Sequence, residues 1–181
     1  MKKTAGILKV IFNILWVIEM VAAILIAGVA ILMLLAGSFS DLAAKTGNAI
    51  TITSGASPAE LDAAKPLVVG ALFLSVVTLV FAIIGTAKTR KALSECKEER
   101  PFSRVSVDSL KTSARMEVIG GVVGVVGAIV LSFLASGLVI NGSPVAKSSA
   151  TVNLSFLIYA VMKYLLYHVA EYGHSLENRQ D

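Results

Sequence analysis

Long apolar runs alternate with short polar ones along this chain, and the apolar runs are too long for buried strands. The first extends from about Ile7 to Ala36 and is interrupted by Lys9, Asn13 and Glu19. The second runs from Leu67 to Ala87 and the third from Val118 to Ile140, both without a charge, and the fourth runs from about Val152 to Val169 around Lys163. A helix needs roughly 20 apolar residues to cross the hydrocarbon core, and in lipid the backbone must satisfy its own hydrogen bonds. The pattern predicts an all-α integral membrane four-helix bundle, one domain over residues 1–181, with spans at about 7–36, 67–87, 116–140 and 152–172.

The polar runs predict their own elements. In the first connection, Ser57-Pro58-Ala59-Glu60 has the spacing of a capping box with proline at the first helical position, which predicts a short surface helix to about Ala64. In the middle connection, helix two continues past the membrane with Lys91 and Glu95 spaced to pair on one face. Pro101 breaks it, and Ser103 is placed to cap a new helix that runs into helix three. Val107, Leu110 and Ala114 give that helix an apolar stripe, so the connection reads as a cytoplasmic helical hairpin.

Composition strengthens the membrane reading: 56% of residues are hydrophobic, mean hydropathy is +0.80, and 15% are charged against about a quarter in soluble domains. Net charge is +4 with a pI near 9.3, but the basic residues sit between the apolar runs without interleaved aromatics, so no direct nucleic-acid binding is expected. Their distribution orients the chain instead. Lys2, Lys3 and Lys9 precede or open helix one, and Lys88, Arg90, Lys91, Lys97, Arg100, Arg104, Lys111 and Arg115 cluster between helices two and three. The other connections offer Lys45 and Lys65, and Lys147. The positive-inside rule places both termini and the middle connection in the cytoplasm. The first apolar run is much longer than a signal-peptide core, so it reads as an uncleaved helix.

Few residues carry candidate chemistry. Glu19 lies about 15 Å along the helix from Lys9, and Lys163 about 12 Å from Glu171, so the two are expected at similar depth as an intramembrane charge pair. Glu19 also shares a stripe with Ala23, Ala27 and Ala30, which predicts that it faces another helix. Gly120, Gly124, Ala128 and Ser132 form a small-residue face for helix packing, with a homo-oligomer as the other use of that face. His168, Glu171 and His174 are three apart, so the outer two diverge by roughly 120° and do not suit one metal ion. Tyr164, Tyr167, Tyr172 and Trp16 fit an interfacial aromatic belt. The single Cys96 excludes an intramolecular disulfide, and no nucleophile–base set is in evidence, so neither enzyme activity nor a cofactor is expected.

Two short stretches resemble a known family. Glu99-Arg100-Pro101-Phe102-Ser103, with Val107 and Leu110 following, and Val169-Ala170-Glu171-Tyr172-Gly173-His174-Ser175-Leu176 in the tail are similar to elements of a bacterial four-helix membrane family, domain of unknown function 2975. Val105, Ser106 and Glu171 depart from its pattern. The resemblance implies a membrane-embedded regulatory partner of a cytoplasmic protein such as a helix-turn-helix transcriptional regulator, with Pro101, Phe102, Ser103, Tyr172 and Gly173 as the partner-binding residues. A small transporter, or an accessory subunit of a transport complex, is the alternative. The lipid bilayer is a partner under either reading.

Overall fold

The computed structural model describes residues 2–38, 41, 58–136, 139–140, 143–144 and 155–177. The fold is all-helical, with four helices as the apolar pattern predicts: α1 (Lys2–Leu35), α2 (Pro58–Lys97), α3 (Arg104–Ser136) and α4 (Ser155–Glu177). Between α3 and α4 lies a two-residue antiparallel ladder, β1 (Val139–Ile140) with β2 (Ser143–Pro144), Val139 opposite Pro144. Three stretches, Thr4–Leu35, Ala59–Lys97 and Arg104–Ser136, are long and apolar enough to cross a membrane. The fourth helix is not among them. Lys163, His168, Glu171 and His174 dilute its apolar character over the length a crossing needs.

The structure corrects the first connection. No separate surface helix ends near Ala64: α2 is one helix of 40 residues with Pro66 inside it. Proline removes one backbone bond and crowds the carbonyl four residues back, a cost of about 3 kcal/mol in a helix interior. Ser57, the expected cap, lies outside the described residues.

The chain forms two compact units, each drawing on the same continuous helices. In the unit built from Ala23–Val76 and Gly124–Val152, α2 and α3 run antiparallel. A Cβ on Gly127 would stand 2.4 Å from Leu74 and one on Gly70 3.2 Å from Leu131, so each glycine receives a leucine. Lys65 donates to the carbonyl of Ala36, just past the end of α1, and its ammonium lies 3.3 Å from the Gly37 carbonyl. A cation there answers the free carbonyls and the negative pole of the helix end.

The unit built from Met1–Ala22, Val77–Val123 and Asn153–Asp181 holds segments of all four helices. Its residues are sorted as lipid would sort them. Every buried apolar residue described in the chain is alanine except Val69, Val107 and Tyr167, whereas Ile7, Ile14, Ile18, Val122 and Leu165 are exposed. Without a hydrophobic force between helices in lipid, close packing of small residues takes its place. Ser106, Ser113 and Ala114 of α3 are completely buried for this reason.

Local chemistry shapes the α2–α3 turn. Arg100 N–H bonds the Glu95 carbonyl at 2.9 Å and Glu99 N–H bonds the Cys96 carbonyl at 3.3 Å, the bonding pattern of a Schellman C-cap. That motif needs a left-handed residue, supplied here by Glu99 at φ 64°. Arg100 to Ser103 then closes a tight turn around Pro101 and Phe102 through Ser103 N–H to the Arg100 carbonyl at 3.2 Å. Ser103 caps α3 as the sequence predicts, its hydroxyl accepting the Ser106 N–H at 3.1 Å. The same hydroxyl donates to Glu95 at 2.8 Å, so Glu95 is engaged by the cap rather than by Lys91.

Because a side chain in the left-handed region costs about 1 kcal/mol more than glycine, Glu99→Gly should raise the thermal unfolding midpoint of the detergent-solubilised protein. Glu99→Ala should not, since alanine keeps the strain. A lower midpoint for the glycine variant would contradict this account of the turn.

Candidate functional site

Two arrangements in the four-helix unit gather its polar side chains. The first is a seam that runs along the facing sides of the helices. Asn13, Trp16 and Glu19 recur every three residues on α1, and Thr86, Thr89 and Arg90 share the opposed side of α2. Antiparallel packing brings them together in order. Arg90 Nε donates to Asn13 Oδ1 at 2.6 Å, and the guanidinium lies 4.6 Å over the Trp16 ring. Thr86 Oγ1 donates to Glu19 Oε1 at 3.0 Å. The Thr89 and Ser113 hydroxyls bond at 2.8 Å, which ties α2 to α3.

Lys163 completes the seam from α4, and here the structure corrects the sequence reading. Its ammonium donates to Glu117 Oε2 at 2.6 Å, and its ion pair is with α3, not with Glu19. The pair is largely enclosed, with side-chain exposures of 22% and 27%. Both partners nonetheless lie within electrostatic reach of Glu19, so the expected charges belong to one cluster. Glu117 escaped notice because it stands one residue before the third uncharged run and reads as part of the connection. Thr86 escaped because a lone threonine in an apolar run carries no signal; only its i, i+4 relation to Arg90 does.

The seam holds two carboxylates, Glu19 and Glu117, and two cations, Arg90 and Lys163. It is therefore balanced in charge, as groups in a low-dielectric interior must be. The balance is uneven in contacts. Glu19 Oε2 is buried with no hydrogen-bond partner among the described residues, and the same holds for Trp16 Nε1.

The second arrangement is a cap at one end of the unit. Val107, Tyr167 and Ala170 form a buried cluster against which Phe102, Leu110 and Tyr164 pack. The expected stripe on α3 is thus the surface that receives α4. Phe102 lies flat on Gly173, where a Cβ would meet its ring at 2.4 Å. Glu171 accepts the Tyr167 hydroxyl at 2.7 Å and lies 3.5 Å from His168, and Lys111 sits 5.4 Å from the Tyr167 ring centre. Exposed Arg100 pairs with Glu98, which holds its guanidinium above the ordinary arginine range.

Of the five residues assigned to partner binding, Phe102, Ser103 and Gly173 make contacts inside the cap, Pro101 borders a cleft against α1, and Tyr172 is exposed. The small-residue face is used in part. Gly120 receives Phe81, with a Cβ there 2.9 Å from the Phe81 Cβ, and the neighbouring Gly121 receives Phe156. Gly124 is half-buried and Ala128 is exposed. No family model matches the chain, and no curated protein or solved structure is found to be similar to it.

Breaking an enclosed ion pair strands a charge, at about 3–5 kcal/mol when fully buried. With roughly a quarter of each side chain exposed, Lys163→Met should cost on the order of 2–3 kcal/mol in thermal unfolding. Adding Glu117→Met should return most of that loss, and adding Glu19→Met should not. Rescue by the Glu19 change instead would assign the pair differently. Gly173→Ala should cost about 1–3 kcal/mol by overpacking, and much less in a Phe102→Ala background.

Proposed function

We propose that this chain is a multi-pass membrane protein that acts as a regulatory partner of a cytoplasmic protein, which docks on the cap built from the α2–α3 turn and α4. The observation that carries this reading is that the cap is preformed. Phe102 seated on Gly173, the Ser103 cap and the Val107–Tyr167–Ala170 cluster hold turn and tail as one body. A rigid surface of this kind loses little conformational entropy when a partner binds. Its exposed Lys91, Lys97 and Arg115 form no ion pair among the described residues, which suits an acidic partner surface.

The resemblance of Glu99–Ser103 and Val169–Leu176 to domain of unknown function 2975 points the same way. In this reading the membrane is the bacterial inner membrane and the basic cap faces the cytoplasm with both termini. The gathering of the α1 start, the α2–α3 turn and the end of α4 at one end of the unit supports that orientation.

A second reading, a small transporter or an accessory subunit of a transport complex, draws on the polar seam. Its support is Glu19, whose second oxygen is buried without a partner among the described residues.

A photo-crosslinking residue in place of exposed Arg104, activated in living cells, separates the two. The expected result is a discrete adduct with one soluble protein that disappears in a Phe102→Ala variant still present in the membrane. Adducts confined to membrane proteins or to the chain itself would overturn the regulatory reading in favour of the second.

A further inference from the structure

Beneath the α2–α3 turn, the four-helix unit encloses an apolar cleft on the side of α1. Its smaller part, a space of about 320 Å3, is lined by Leu8 and Phe12 of α1, Ala92 of α2, Phe102 and Leu110 at the turn and start of α3, and Leu166 of α4. A second space of about 550 Å3 adjoins it and includes Thr4, Ala5 and Glu99 in its wall. The two share Leu8, Leu93, Cys96 and Pro101, so they lie side by side along one cleft wall. Each volume falls in the range of about 300–1,000 Å3 typical of small-molecule sites.

Chemistry narrows the occupant. The walls of the smaller space offer almost only carbon, so water gains nothing there, and an apolar cavity binds apolar matter. The larger space adds the polar side chains of Thr4 and Glu99 to its wall. Lys9 follows Leu8 on α1 and Lys97 follows Cys96 on α2, each about 100° round its helix from a lining residue, so the two lysines flank the cleft rather than line it, and neither forms an ion pair among the described residues. Glu99 lines the larger space, and across residues 88–115 eight basic side chains stand against four acidic ones, Glu95, Glu98, Glu99 and Asp108, so positive charge is in excess at this end of the unit. An apolar slot next to an excess of positive charge, on a protein whose helices belong in a bilayer, is complementary to a molecule with a long hydrocarbon chain and an anionic head.

We propose that this cleft is a binding site for an anionic phospholipid, with one acyl chain in the apolar part and the phosphate beside Lys9 and Lys97. The site goes beyond the regulatory reading and does not depend on it: a lipid fills the cleft whether or not a cytoplasmic protein docks on the cap. Because Pro101 and Phe102 form part of its wall, the bound chain also supports the turn from below.

Native mass spectrometry of the full chain released from detergent tests this with phosphatidylglycerol and phosphatidylcholine of identical acyl chains. The expected result is one retained phosphatidylglycerol, favoured about thirtyfold over phosphatidylcholine, the scale set by two lysines near an anionic head. Lys9→Gln with Lys97→Gln should abolish the preference while leaving weak binding of both lipids. Filling the cleft by Ala92→Phe, or from the exposed side by Leu8→Trp, should remove both. Equal retention of the two lipids in the unaltered chain would overturn the proposal, as would a preference that survives the lysine changes or binding that survives both filling variants. Oleate retained as strongly as phosphatidylglycerol would overturn the headgroup assignment, and a second copy of the chain in place of lipid would overturn the occupant.

Discussion

A polar group on a helix surrounded by hydrocarbon has no water to turn to, so it must find its partner on another helix. That constraint organises the four-helix unit. Glu19 takes the Thr86 hydroxyl, Arg90 takes Asn13 and the Trp16 face, and Lys163 takes Glu117. Each contact fixes the rotation of a helix about its own axis, because turning any of these helices by a third of a circle would carry a polar side chain into lipid. The hydrophobic surfaces impose no such choice, since an apolar face is equally content against lipid or protein.

Close approach is then a matter of residue size. Glycines and alanines stand where helices touch, and aromatic rings or leucines fill the notches they leave: Phe81 on Gly120, Phe156 on Gly121, Phe102 on Gly173. These pairs set register along the helix axes, while the polar contacts set rotation about them. Together they explain why isoleucine and leucine are left outside and why serine and alanine are completely buried.

The cap obeys rules closer to those of soluble proteins. A C-cap with a left-handed Glu99, a turn around Pro101 and an N-cap at Ser103 reverse the chain within a few residues. The one hydroxyl of Ser103 both caps α3 and reaches back to Glu95 of α2, so the reversal is stapled across its base. The cap that the proposed partner would meet and the cleft proposed for lipid are two sides of this one turn, with Phe102 common to both.

Much of this was legible along the chain because it depends on neighbours in sequence. The length of the apolar runs, the break at Pro101, the capping role of Ser103 and the stripe of Val107, Leu110 and Ala114 all follow from helical period and local hydrogen bonding. The fate of Pro66 was not legible, since local propensity argues for a helix boundary there and the structure runs through it. Nor was the partner of Lys163: depth along two helices is readable from the sequence, but Glu19 and Glu117 both fall within its reach, and only rotation decides between them. The sequence by itself determined that helices form, where their apolar stretches lie and which polar residues must be satisfied. The tertiary structure decided who satisfies whom, because apolar helix surfaces specify no rotation or register until small residues and polar contacts meet across them.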